Sequence, residues 1–189
     1  TFYEDGERWR VPGDPKLGRN ASTLQPPYYL SIARPGTEEP NFSLTSVFLP
    51  NSRQNLASFV SVTSEATSDD YGTMQILELP SNTQVPGPSQ IANDFQTDRG
   101  VTQALLQFEQ SEDARILRGN LLTLPVGDGL LYVQPVYIQR SADVGTYPVL
   151  QFVAVSFGEA VGFGQTLDEA LRVAVGLEGA DTSDTTEGA

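Results

Sequence analysis

The sequence predicts an α+β domain built on a largely antiparallel sheet, with two short central helices and a C-terminal helix. Three observations carry this. Strand-sized alternating runs, punctuated by Gly, Pro, Asn and Asp, occupy residues 28–79 and return after residue 114. Between them, from Pro86 to Glu109, the apolar period lengthens to that of a helix. The last patterned segment, "TLDEALRVAVG", reads as a capped amphipathic helix. Strands, helices, strands and a final helix is an α+β order, not the alternation of βαβ units.

Residues 1–27 are rich in Pro, Gly and charge and read as an extended N-terminal arm, since Pro12, Pro15, Pro26 and Pro27 exclude a regular helix. The "NAS" triplet at Asn20 to Ser22 matches a glycosylation acceptor, but a surface turn is the ordinary reading. The domain proper is expected over 28–176. "YYLSIA" (Tyr28 to Ala33), "FSLTSVFLP" (Phe42 to Pro50), "LASFVSVT" (Leu56 to Thr63) and "TMQILEL" (Thr73 to Leu79) read as strands. "RPGTEEPN" and "SEATSDDYG" read as turns. A helix over Pro86 to Gln96 puts Ile91 and Phe95 on one face. A second, over Val101 to Glu109, has Asp98 as its cap.

Ala114 to Leu124 and Leu130 to Gln139 read as a hairpin pair turned by "PVGDG". Pro135, inside the second strand, predicts an edge position or a bulge. Val149 to Phe157 is a further strand. Thr166 and Glu169 have the spacing of a capping box for the last helix, and Gly176 is its stop. The acidic segment 177–189 lacks periodicity and is expected to be a disordered tail or linker. No internal repeat is visible.

Composition excludes more than it assigns. The 189 residues carry 11 basic and 24 acidic side chains, a net charge of −13, so nucleic acid is not an expected partner. There is no cysteine and no histidine, which removes disulfides, thiolate catalysis, His-based triads and the usual Cys and His metal ligands. No cofactor or metal is expected. No apolar run approaches the roughly 20 residues that span a bilayer. The chain opens on "TFYEDGERWR", without the pattern of a signal peptide. The expectation is a soluble piece whose export signal or anchor lies elsewhere or has been removed.

"ERWRVPGDP", "PPYYLSI", "PGPSQIANDF", "RGNLLTLPVGDGLLYVQPVYIQ" and "YPVLQFVAVSFG…TLDEAL" together resemble the uncharacterised bacterial membrane proteins of UPF family 0182. The resemblance runs from about Trp9 to Leu171 and is most specific from Arg118 to Gln139. It implies transmembrane helices N-terminal to this piece, a large extracytoplasmic region, and an acidic linker after the last helix. It brings no activity, cofactor or site residue.

Candidate sites are therefore read from the residues alone. Paired carboxylates at Glu38-Glu39, Asp69-Asp70, Glu112-Asp113 and Asp168-Glu169 have the chemistry for glycoside hydrolysis or calcium. Solvated turns and a helix start are the ordinary reading of them. Gly158, Gly162 and Gly164 precede a helix, but their spacing is not a nucleotide fingerprint and acidic residues follow. Arg115 and Arg118 are the tentative ligand or partner contacts, as a clamp for an anionic group. Tyr28, Tyr29, Tyr132, Tyr137, Phe152 and Phe157 suit a sugar or lipid cleft, yet such residues in strands are ordinarily core. Lys16, the one lysine, sits badly for Ser-Lys catalysis. The leading reading is a non-catalytic extracytoplasmic interaction or scaffold domain of a multi-pass membrane protein. Its partners would be its own transmembrane region, another envelope protein, or a lipid or glycan. The alternative is a carboxylate-dependent hydrolase or ligand-binding domain acting on envelope glycan or lipid.

Overall fold

Among the described residues, two five-stranded antiparallel sheets and three helices make up the fold, an α+β architecture. This computed structural model describes residues 8–17, 22–33, 39–80, 82–140 and 147–176. The expected tail at 177–189, Asn20 of the "NAS" triplet, Glu38 and most of the "RPGTEEPN" turn lie outside the described residues.

The first sheet contains β1 (Trp9–Arg10), β2 (Tyr28–Ala33), β3 (Pro40–Pro50), β4 (Ser58–Thr63) and β5 (Met74–Glu78). One edge of β3 takes β2 along its N-terminal half and β1 at its C-terminal end; the other edge takes β4, which pairs in turn with β5. The second sheet contains β6 (Ala114–Arg118), β7 (Leu122–Val126), β8 (Gly129–Arg140), β9 (Val149–Phe157) and β10 (Ala160–Gly164). Here β8 is the long strand. It takes β7 on its N-terminal half and β6 on its C-terminal half, and β9 then β10 follow on the other edge. The two sheets thus share one strand order, a repeat of topology that the sequence does not display.

The predicted strand Ala114 to Leu124 is in fact two strands. Gly119 to Leu121 breaks it, because a Cβ at Gly119 would meet the Pro135 ring at 2.7 Å. This break also explains Pro135, which sits in a central strand and not at an edge. In an antiparallel strand the N–H and C=O of one residue point to the same side. The Pro135 carbonyl accepts from Gly119 N–H at 2.8 Å, so its missing donor faces the gap between β6 and β7. A bulge follows at Val136/Tyr137. The hairpin turn is the two-residue loop Gly127-Asp128, with φ of +56° at Gly127, one residue earlier than the Asp-Gly pair suggests.

The described part of the expected N-terminal arm joins the domain, since Trp9–Arg10 is a strand of the first sheet. Its 3-10 turn, Pro15–Leu17, follows the buried Asp14, and Gln25 Nε2 donates to the Leu121 carbonyl at 3.1 Å.

Helices α1 (Pro88–Thr97) and α2 (Arg99–Glu109) come between the sheets in the chain; α1 also packs between them, and α2 packs on the second sheet. Pro88 occupies the first turn, and Gln90 Oε1 accepts from Gly87 N–H at 2.9 Å. The predicted Asp98 cap holds: its carboxylate accepts from Val101 N–H at 3.0 Å. Ile91 and Phe95 of α1 share the main buried cluster with Val47, Leu49 and Phe59 of the first sheet and Leu130 and Tyr132 of the second. Val101 and Leu105 of α2 pack with Val136 and Phe152.

Helix α3 (Leu167–Ala174) lies on the opposite face of the second sheet, against Leu131, Val133, Val153 and Val155. Thr166 Oγ1 accepts from Glu169 N–H at 3.2 Å, and Glu169 Oε2 accepts from Gln165 N–H at 2.8 Å, one residue before the cap. Gly176, at φ +71°, ends the helix. Thr166→Ala is expected to cost about 1 kcal/mol. Urea denaturation checks this, and Thr166→Ser should retain most of the stability.

Candidate interaction surface

The second sheet is covered on both faces, by α1 and α2 on one and by α3 on the other. Among the described residues, the first sheet is covered on one. Burial alternates along β3, and the pairing register carries the faces across the other strands. In β3 the buried residues are Ser43, Thr45, Val47 and Leu49, and the intervening Phe42, Leu44, Ser46 and Phe48 point to the outer face. Pairing carries that face across the sheet. Tyr29 lies opposite Leu44, Leu44 opposite Val62, and Val62 opposite Met74, making one apolar row over four strands. The next row holds Ser46, Val60 and Ile76.

Most of this outer face is solvent-accessible, although Ser58, between Phe48 and Glu78, is buried. Tyr29 is 60 % exposed, Met74 62 % and Ile76 54 %. Tyr29 stacks on Phe42 with ring centroids 5.3 Å apart and planes 8° from parallel, and Trp9 meets Phe48 at 6.5 Å. Among the described outer-face positions of these strands, Glu78 at one corner is the only charge. An antiparallel sheet with one wet face normally turns its polar residues outward. Here the upper part of the sheet does the reverse. Ser43, Thr45, Ser61 and Thr63 are buried, while Leu44, Val60, Val62 and Met74 face out.

At the lower end of this face lies a groove of about 740 Å³, lined by Trp9, Pro50 and Leu56 and by the polar Arg53, Asn55 and Glu78. Its size falls within the range of small-molecule sites, and its lining is evenly mixed in polarity.

The sequence-derived candidates do not converge. Arg115 and Arg118 are three residues apart on β6, so the strand period sends them to opposite faces. They do not close on one anion. Asp69, Asp70, Glu112 and Asp113 lie in exposed turns. Asp168 is ion-paired with Arg172 at 2.8 Å, and Glu169 supports the cap of α3. Gly162 and Gly164 lie in β10 directly beneath α3, which uses their lack of side chains for close packing. Lys16 pairs with Asp14 at 3.5 Å and donates to Asn120 Oδ1 at 2.6 Å, tying the arm to the β6–β7 connection.

The aromatic candidates divide between core and surface. Phe152 stacks on Phe163 at 4.9 Å in the interior, whereas Phe157 is partly exposed. Tyr28 and Tyr29 point to opposite faces of β2. Burial, with the Asp14 carboxylate adding to it, pushes the Tyr28 hydroxyl above its usual pKa. Burial alone pushes Tyr132 well above the ordinary tyrosine range, and its hydroxyl donates to the Pro86 carbonyl at 2.6 Å. A group whose folded pKa is raised contributes stability that is complete below its unfolded pKa and lost as pH rises past it. Stability is therefore expected to fall above about pH 10. Urea midpoints between pH 8 and 11 check this; a Tyr132→Phe variant should show a shallower decline.

The outer face was missed at the sequence level although its pattern is legible. Phe42, Leu44 and Phe48 alternate with Ser43, Thr45 and Val47. Alternation marks two faces without saying which is inward.

No described helix is long and apolar enough to cross a membrane. A family model described as "Uncharacterised protein family (UPF0182)" matches residues 1–108. A UPF0182 protein of Nocardioides sp. (strain ATCC BAA-499 / JS614) is 49% identical over 176 residues, covering 93% of this chain and 17% of that protein. The UPF0182 protein of Thermobifida fusca (strain YX) is 49% identical over 174 residues, covering 91% and 17%. That of Kocuria rhizophila is 44% identical over 201 residues, covering 100% and 20%. The chain thus spans a fifth or less of the length of these curated relatives. No solved structure matches it.

Proposed function

The chain belongs to the uncharacterised protein family UPF0182, and on that premise we propose that it is a non-catalytic interaction domain, held outside the cytoplasm by a multi-pass membrane protein. The outer face of the first sheet carries this reading. A water-facing antiparallel sheet gains nothing from an uncharged row of Tyr29, Leu44, Val62 and Met74. Burying an exposed side chain of this size contributes about 1.5–3 kcal/mol, so a few of them suffice for a stable contact. The extracytoplasmic placement is supported by the resemblance of the strand and hairpin segments to membrane proteins of the family.

Because the chain lacks cysteine, introduced thiols give a direct test. Ile76→Cys marks the outer face, and Asp113→Cys marks an exposed turn. In the intact protein in its own membrane, the thiol at position 76 should react with maleimide at least about ten-fold more slowly than that at 113. Equal rates would overturn the reading. A membrane-impermeant maleimide added to whole cells should label position 113; protection there until lysis would overturn the extracytoplasmic placement.

The Trp9 groove favours a second reading, a domain that binds an envelope glycan or lipid. Its indole offers an apolar platform and Arg53, Asn55 and Glu78 offer hydrogen bonds. One carboxylate among the groove's lining residues supports ligand binding, since hydrolysis by paired acids needs two. Titration with envelope glycan fragments, followed by Trp9 fluorescence, should show a saturable change if this reading holds. An unchanged spectrum would sink it.

A further inference from the structure

The occupant of the uncovered sheet face is inferable from the molecule itself, and the inference rests on the interaction reading above. We infer that an amphipathic helix covers the outer face of the first sheet, contributed by a part of the same polypeptide outside residues 1–189.

The fold contains its own precedent. Both sheets have the same strand order, and the second is followed by a helix, α3, that covers its far face through Ala170, Ala174 and Leu171. The first sheet is also followed by helices. Of those helices, α1 is used between the sheets, where Ile91 and Phe95 are buried, and α2 on the second sheet, where Val101 and Leu105 are buried. Among the described residues, the first sheet is left with the apolar outer face that its counterpart hides.

Dimensions fit a single helix. Four strand columns span three spacings, about 14 Å. A helix with its side chains is about 10–12 Å wide. Along β3 the apolar stripe runs from Phe42 to Phe48, with Trp9 packed at that end, roughly 20 Å at the strand rise. A helix of on the order of 14 residues covers that length.

Supply favours the same polypeptide. The relatives are at least five times the length of the region this chain matches, so most of such a protein lies outside it. A tethered segment meets the face at an effective concentration on the order of millimolar, above that of most free partners. A net charge of −13 disfavours an anionic lipid surface.

The test places a photoreactive benzophenone amino acid at position 29, 74 or 76 of the full-length protein in its own bacterium. Irradiation and peptide mass spectrometry then identify the neighbour. The expected product migrates as a monomer and joins each position to one segment outside residues 1–189, at sites spaced three or four residues apart. Attachment to another protein, to a second copy in a dimer-sized band or to lipid overturns the inference, as does the absence of any product. The thiol-labelling ratio decides separately whether the face is covered at all, so failure of the occupant is distinguishable from failure of the interaction reading.

Discussion

Replacing Phe95 with Ala is expected to destabilise the domain by about 3–5 kcal/mol, the largest effect of any single side-chain truncation considered for this fold. Phe95 is 2 % exposed and belongs to the cluster in which α1 meets both sheets. Its removal leaves a cavity at the junction of three elements. The sheets are held to their places by their own hydrogen-bond ladders, so they collapse into such a space only partly. The loss then includes the transfer term and the cavity term together. Chemical denaturation measures it, and the melting temperature should fall by roughly 10 °C for a chain of this length. Phe95→Leu keeps most of the volume and should recover much of the loss. A change below about 1 kcal/mol for the alanine variant would mean that α1 is not the wedge between the sheets.

Gly162→Val should come close to this effect by the opposite route, overpacking. An ideal Cβ at Gly162 would stand 1.9 Å from the Ala170 carbonyl oxygen and 2.7 Å from the Ala174 nitrogen, both backbone atoms of α3. Side chains turn aside from such a clash, but helix backbone does not. Either α3 lifts from the sheet or β10 leaves β9, and both expose Val133, Val153 and Val155. The expected cost is about 3 kcal/mol, the upper part of the overpacking range. Hydrogen exchange gives a sharper readout, since amides of Ala170 to Ala174 should lose protection while those of α1 keep it. Gly127→Ala is the comparison. Nothing lies near its Cβ, and φ is +56°, so backbone conformation alone should cost it about 1–2 kcal/mol. If the two variants are equally stable, α3 is not seated on Gly162.

Much of the fold is legible locally because its signals are local. The Asp98 and Thr166 caps follow from side chains that reach a backbone N–H three residues on. β2 and β9 have the predicted bounds because their alternation and flanking turns agree. Where the reading failed, a distant partner decided. The run from Ala114 to Leu124 is broken at Gly119 by the ring of Pro135, sixteen residues later. The candidate site was less legible still. Arg115 and Arg118 look like a pair in the sequence, and the period of two separates them.

By itself the sequence determined the α+β class, the helix caps, the hairpin and the exclusion of histidine- and cysteine-based chemistry, since these depend on composition and on neighbours a few residues away. Only the tertiary structure decided that α1 fills the space between the sheets, and that Phe42, Leu44 and Val62 face outward while Ser43, Thr45 and Ser61 are buried. Alternation specifies two faces of a strand with equal force. Which face is buried depends on what else in the chain packs against it, and that is a property of the assembled layers.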